Sequence, residues 1–253
     1  MPYSLAGRRV LITGGTTGLG KVVSARFAAQ GAHIAVNYAS NKTAASAAVT
    51  SLQAEFGVTV VAIQGNVGVA EECENIVQTA IHKLGGLDIV IANAAWTKFS
   101  NFADLSALSE AEWDKCWATN VKSSLHIFRA ASETLNANAD GGAFIYTASI
   151  AGVSPCGSSL AYAVTKAAGL HLMKCLALTQ GPKIRVNSVV PGLLLTDWGN
   201  QYSPDYVQRW REETALRDVP GIHECAEVYL NIAQNLSMSG QQIEIDCGWL
   251  LNH

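Results

Sequence analysis

Seven short apolar runs punctuate this chain of 253 residues, and longer stretches with helical spacing lie between them. The runs are RRVLIT (8–13), HIAVNY (33–38), VTVVAI (58–63), LDIVIAN (87–93), GAFIYTAS (142–149), KIRVNSVV (183–190) and QQIEID (241–246). Helical patterns cover 18–30, 43–56, 69–84, 109–137, 159–179 and 223–236, the fourth broken near Thr119-Asn120. Apolar, β-branched runs of this length read as strands. A strand–helix–strand rhythm demands right-handed crossovers, so the chain is expected to form a doubly wound parallel sheet of about seven strands with helices on both faces. The runs are continuously apolar rather than alternating, as strands covered on both sides must be. A hydrophobic share of 49% against 15% charged residues fits that burial. No linker, repeat or low-complexity segment divides the chain, so one domain is expected. The single irregular stretch is 193–221, rich in Trp, Tyr, Pro and charge. An insertion at a strand's carboxyl end forms a ligand lid more often than a spacer.

Several function classes are disfavoured at this level. A net charge of −3 gives no electrostatic reason to bind nucleic acid. Cys73, Cys116, Cys156, Cys175, Cys225 and Cys247 are scattered, with no C-x-x-C spacing, and read as small buried residues in a reducing compartment. The six histidines show no metal-ligand spacing, so no metal is expected. The first residues run straight into a strand, leaving no room for a signal peptide, and no apolar run approaches the roughly 20 residues of a membrane span. A cytoplasmic protein without a membrane partner is the expectation.

The stretch TGGTTGLG (13–20) follows the first strand and opens the first helix. Gly14 and Gly18 permit backbone angles that a side chain forbids, and Gly20 lets the helix lie close to the sheet. The backbone around Thr16, Thr17 and Leu19 then presents helix-start amides to a pyrophosphate. A carboxylate at the end of the second strand would hold the ribose hydroxyls of NAD and repel a 2′-phosphate. Here that position reads Asn37-Tyr38-Ala39-Ser40-Asn41-Lys42, which favours NADP(H) over NAD(H). Thr17 stands where a basic residue would have helped the phosphate further.

Tyr162 and Lys166 lie four apart in an alanine-rich helical stretch, which puts a phenol and an ammonium on one face. Carbonyl reduction needs a proton on oxygen, and free tyrosine, with a pKa of about 10, exchanges it poorly near neutrality. A neighbouring ammonium is expected to lower that pKa and let Tyr162 act as acid or base. Ser149, at the end of the fifth strand, lacks the G-x-S-x-G setting of a hydrolase nucleophile.

In order along the chain stand Thr13-Gly14-x-x-x-Gly18-x-Gly20, Asn93-Ala94-Ala95, Asn120, Ser149, Tyr162-x-x-x-Lys166, Asn187 and Pro191-Gly192 followed by Thr196. With these marks the chain resembles, nearly end to end, the classical short-chain dehydrogenase/reductase family. The resemblance implies a single-domain Rossmann fold and an NAD(P)-dependent oxidoreductase of the carbonyl/secondary-alcohol type. It further implies that Ser149 steadies the substrate oxygen, that Lys166 also holds the nicotinamide ribose, and that Asn120 anchors a proton-relaying water. Asn93, Ala94 and Ala95 would pass the adenine ribose, Asn66 and Val67 would face adenine, and the Leu194 backbone with Thr196 would hold the carboxamide beside Pro191-Gly192. The chain departs from the family pattern at Asn66 (usually Asp), at Ala95 (usually Gly) and at Asp246-Cys247-Gly248-Trp249, where a glycine pair is usual.

Candidate substrate-pocket residues are Trp96, Ile150, Ala151, Pro155, Ser158 and Ser159, with Trp198, Tyr202, Tyr206 and Trp210 from the lid. They suggest an aromatic-lined pocket for a cyclic or polyketide-like ketone, or a simple packing of the lid on the body. Asn37-Tyr38-Ala39 and Gly65-Asn66-Val67-Gly68 are locally similar to fungal naphthol reductases, and 94–120 to reductases of fungal secondary metabolism. The family pairs subunits through the helices at 109–137 and 159–179, which implies a homotetramer or homodimer. Other open readings are an enzyme of this fold that cyclises, isomerises or reduces an imine, and a non-catalytic NADP-binding protein.

Overall fold

In the computed structural model, which describes residues 3–253, seven strands form one parallel sheet. They are β1 (Arg9–Ile12), β2 (His33–Tyr38), β3 (Val60–Gln64), β4 (Ile89–Ala92), β5 (Gly142–Thr147), β6 (Ile184–Pro191) and β7 (Gln242–Ile245). Their spatial order is β3-β2-β1-β4-β5-β6-β7. The winding therefore reverses between β1 and β4, where a crevice opens at the carboxyl ends of the strands.

The helices are α1 (Gly18–Ala29), α2 (Lys42–Phe56), α3 (Ala70–Leu84), α4 (Glu110–Trp117), α5 (Ser123–Ala137), α6 (Leu160–Gln180), α7 (Pro204–Glu213) and α8 (Ile222–Gln234). On one face of the sheet Val23 and Phe27 of α1, Leu52 of α2 and Tyr229 of α8 join the core. On the other, Ile76 of α3, Phe128 of α5 and Leu170 and Met173 of α6 do the same. Every residue of β4 and β5 is buried, which is why those runs carry no polar alternation. A side chain such as Phe27 or Ile76 contributes about 1.5–3 kcal/mol by leaving water.

Element boundaries match the sequence expectation to within two residues, with two substantive differences. The helical region 109–137 is not broken at Thr119-Asn120. One wider π turn, Ala118–Lys122, joins α4 to α5 and turns Asn120 inward. The stretch 193–221 is not irregular throughout, because it contains α7 and a 3₁₀ turn at Gly199–Gln201. The Ser203 hydroxyl accepts the Tyr206 N–H at 3.2 Å and Pro204 takes the first helical position, a start signal that outweighs the stretch's low apolar content. The cysteine expectation also needs correction. All six are free, but Cys175 is exposed and Cys156 and Cys247 are half-buried. None of the described helices is long and apolar enough to cross a membrane.

Candidate active site

A cleft of about 920 Å³ lies over the carboxyl ends of the strands. Its floor is backbone. Gly14 (φ 59°) and Gly18 (φ 50°) turn the chain from β1 into α1, in a region closed to most side chains. A β-carbon on Gly20 would collide with the Gly14 carbonyl, so only glycine lets α1 start this close to the turn. The crevice is braced across the switch point. The Thr13 hydroxyl accepts from the Asn93 and Ala94 N–H groups, both at 2.9 Å, and the Asn93 amide donates to the Thr13 carbonyl at 3.0 Å.

This floor fits a dinucleotide. Thr17, at the start of α1, makes no side-chain cap, and the first turn holds no acidic residue. The helix-start N–H groups and the positive end of the helix dipole thus face the cleft unclaimed by any side chain. At the end of β2 no carboxylate lines the cleft; Asn37, Ala39 and Ser40 do. The Asn37 amide is held by the Gly65 carbonyl at 2.9 Å. Just beyond, α2 begins with Asn41 as its cap and likewise has no acid in its first turn.

At the other end of the same cleft Ser149, Tyr162 and Lys166 come together. Ser149 follows β5 and is fixed by accepting the Ala151 N–H at 3.2 Å. The Ser159 hydroxyl caps α6 by accepting the Tyr162 N–H at 3.2 Å, which places Tyr162 in the first turn and Lys166 one turn on. The Lys166 ammonium donates to the Thr147 carbonyl at 2.7 Å and lies 5.5 Å from the Tyr162 ring centre.

The electrostatics reverse the expected direction. Burial raises the Tyr162 pKa above the ordinary tyrosine value, and only the facing Ser149 hydroxyl pulls it back. Burial likewise pushes Lys166 down to about 7, slightly opposed by Cys116. Removal from water governs both groups, so Tyr162 holds its proton at neutral pH. That is the form in which it can donate.

The roof over this end is aromatic. Trp198 sits 5.6 Å from the Tyr162 ring, Phe99 packs edge-on against Tyr202 at 5.0 Å, and Tyr202 stacks on Tyr206 at 4.5 Å. Behind them Trp210 of α7 stacks on Trp249 at 4.6 Å, and Trp249 on His253 at 4.0 Å.

Most of the residues expected from sequence line the cleft: Gly14, Thr17, Gly18, Leu19, Gly20, Asn37, Ala39, Ser40, Asn66, Val67, Asn93, Ala94, Ala95, Pro191, Gly192, Leu194 and Thr196, and on the substrate side Trp96, Ile150, Ala151, Ser158, Trp198, Tyr202, Tyr206 and Trp210. Thr16, Tyr38, Pro155 and Ser159 do not. Tyr38 alternates with Asn37 and Ala39 and so takes the opposite face of its strand. Thr16 is buried within the turn, and Ser159 is spent on capping α6. Asn120 does not line the cleft either, and its side chain forms a brace. Its side chain accepts the Trp96 N–H at 2.8 Å and donates to the Trp96 carbonyl at 2.9 Å and the Thr165 hydroxyl at 3.0 Å. Its carbonyl accepts the Tyr146 hydroxyl at 3.0 Å. Sequence reasoning missed Lys115, which lines the cleft and stands 4.6 Å above the Trp96 ring, and Cys156. Neither carries a motif that would have marked it.

The family model of short chain dehydrogenases matches residues 8–207, which hold the glycine turn, Ser149, Tyr162 and Lys166. The chain is a short-chain dehydrogenase. As a member of that family it is an NAD(P)-dependent oxidoreductase. This short-chain dehydrogenase is 30% identical to a Streptomyces violaceoruber protein named as ketoacyl reductase 2 of the granaticin polyketide synthase, over 94% of either chain. Its fold matches a short chain dehydrogenase of Burkholderia cenocepacia solved in complex with NADP, with a TM-score of 0.90, 28% identity, and coverage of 98% of this chain and 100% of that one. It also matches an NADPH-dependent 3-quinuclidinone reductase of Rhodotorula rubra, with a TM-score of 0.89, 27% identity, and coverage of 98% and 93%.

Proposed function

We propose that this short-chain dehydrogenase is an NADP(H)-dependent ketoreductase acting on a cyclic or polyketide-like carbonyl compound. The observation that carries this reading is the meeting of Ser149, Tyr162 and Lys166 in one cleft with an acid-free dinucleotide floor, under the indole of Trp198. When bound, the nicotinamide supplies hydride to the carbonyl carbon. Tyr162 donates the proton to the carbonyl oxygen, and burial keeps that proton in place until the oxygen becomes basic. Ser149 donates a hydrogen bond to the same oxygen and stabilises its developing charge. Lys166, when charged, would steady the Tyr162 phenolate left behind and would hold the nicotinamide ribose hydroxyls. Ala39, Ser40 and the α2 start would receive the 2′-phosphate, because among the described residues no carboxylate lines that end of the cleft.

The segment 193–221 is the lid, and its rings would sandwich the substrate against Tyr162. A Burkholderia neighbour bound to NADP and a Rhodotorula reductase named for a cyclic ketone support both choices. The outer faces of α5 and α6 are the surfaces through which two or four copies would associate. The intact Ser149, Tyr162 and Lys166 disfavour the cyclisation, imine and non-catalytic readings.

The test is absorbance of NADPH and NADH with a panel of cyclic ketones, diketones and open-chain β-ketoesters. Faster NADPH oxidation with the cyclic compounds, abolished by Tyr162→Phe, is the expected result. Substrate conversion without coenzyme oxidation, or coenzyme binding without turnover across the panel, would overturn it.

A further inference from the structure

Lys166 is 1% exposed, and apart from its bond to the Thr147 carbonyl its ammonium meets no other hydrogen-bond partner among the described residues. The titratable groups around it are Cys116 from α4, Tyr146 from β5 and Tyr162 on its own helix, with Tyr229 of α8 beyond Thr147. None is a carboxylate, and among the described residues no ion pair reaches it. A buried cation without a counter-charge needs another source of negative potential.

Two rings supply it. The Lys166 nitrogen lies 5.5 Å from the Tyr162 ring centre and 5.0 Å from that of Tyr146. Both fall inside the roughly 6 Å over which a ring face attracts a cation, and the attraction is greatest where water is excluded. Tyr162 performs the chemistry. Tyr146 has no part in it so far, yet its ring is fixed from two sides. Its hydroxyl donates to the Asn120 carbonyl in the π turn, and it lies so close to Gly169 of α6 that a β-carbon there would collide with it.

We propose that Tyr146 is a positioning residue for the reaction, its ring face holding the Lys166 ammonium charged beneath Tyr162. This rests on the part assigned to Lys166 above. Burial alone favours the neutral amine, and the ring face opposes that tendency. The tight packing against Gly169 keeps the ring beside the lysine with or without the hydroxyl, and the bond to Asn120 gives the π turn a reason to expose that carbonyl.

The experiment replaces the ring's charge without changing its shape. Tyr146→Phe, followed by phenylalanine bearing one, two and three ring fluorines at position 146, drains negative potential from the face step by step. Two quantities are read: the Lys166 pKa in the protein alone, by NMR of ¹³C-labelled lysine side chains, and the alkaline limb of kcat for ketone reduction. The plain phenylalanine variant is expected to titrate close to the parent. Across the fluorinated series the pKa should fall by about one unit, and the alkaline limb should move to lower pH by the same amount. Tyr146→Leu, without a face, should fall at least as far. A Lys166 pKa that stays constant through the series overturns the proposal, as does an equal shift in the phenylalanine and trifluorinated variants. A pKa that falls while the rate profile stays put would instead overturn the catalytic reading of Lys166, and with it the part of Tyr146 in the reaction, leaving only the ring–ammonium contact.

Discussion

The floor and the roof of the cleft are made of different material. The floor is main chain: a glycine turn, helix-start amides and the Thr13–Asn93 brace, all tied to strands that are buried on both faces. The roof is side chain: Trp198, Tyr202, Tyr206 and Trp210 on a segment that touches the body through rings. A backbone site binds whatever shares its shape and charge, and a ring-lined site selects by contour. The contrast teaches that the proposed coenzyme site is built into the topology, whereas the proposed substrate site rests on a handful of replaceable side chains. Tyr162 and Lys166 sit at the seam between the two.

The sharpest way to break this division is at the seam. Tyr162→Phe keeps the ring under Trp198 and removes only the transferable proton. We expect kcat to fall about a thousandfold, with coenzyme binding, read by quenching of tryptophan fluorescence, within twofold of the parent. Coenzyme affinity falling in parallel would mean that floor and chemistry cannot be separated. Lys166→Met should cost about a hundredfold in kcat while making the fold less sensitive to pH. Burial pushes Lys166 down to about 7 in the folded protein, whereas in the unfolded chain it keeps the ordinary lysine value of about 10.5. Between those values the unfolded state holds more protons, so this residue makes stability rise with pH across the window. Below it, the lysine's contribution is a constant penalty. Chemical denaturation at pH 7 and pH 9.5 should show a smaller rise for the methionine variant than for the parent, read as the difference between the two.

The same division governs what could be read from the amino-acid order alone. Backbone sites announce themselves, because only glycine tolerates positive φ or a clash-free approach; Gly14, Gly18 and Gly20 were therefore legible, as was the four-residue step from Tyr162 to Lys166. The direction of their pKa shifts was not. Spacing reports adjacency, whereas burial depends on Ser149, Thr147 and Tyr146 arriving from β5. Asn120 was found by pattern, but its bracing bonds were not legible, because its partners Trp96 and Thr165 lie 24 and 45 residues away. The lid helix α7 was missed for a different reason: its stripe is aromatic and charged, and the start signal Ser203-Pro204 is shorter than the window in which periodicity is judged.

Coenzyme choice tests the floor by itself. Ala39→Asp puts a carboxylate on the exposed lining at the end of β2, where the 2′-phosphate is proposed to lie. Like-charge repulsion should raise the KM for NADPH by about a hundredfold and leave that for NADH nearly unchanged. An equal change for both coenzymes would place the phosphate elsewhere. Trp198→Ala tests the roof. Losing one face of the sandwich should raise the KM for a cyclic ketone by about tenfold, with coenzyme KM unaltered and little effect on an open-chain ketone.

The smallest effect is the most discriminating, because it acts on the roof from behind. Trp249 touches neither face of the cleft, yet it is parallel to Trp210, with 1° between the ring planes, and carries His253 on its far side. The Asn252 side chain reaches the Glu213 carbonyl at the end of α7 at 2.8 Å, so residues 249–253 clasp the lid helix along its buried edge. Trp249→Leu retains an apolar side chain but removes the stacked plane, worth about 0.5–1.5 kcal/mol. If the lid is an independent plate positioned by this stack, substrate KM should rise about threefold while kcat and coenzyme KM stay level, since the floor shares no bond with Trp249. Steady-state kinetics at saturating NADPH, repeated at saturating ketone, separates the two constants. Should coenzyme KM rise alongside, the stack would be supporting the end of the sheet as well, through Asp246, whose carboxylate accepts the Gly248 and Leu250 N–H groups at 2.8 Å. Floor and roof would then be one mechanical unit.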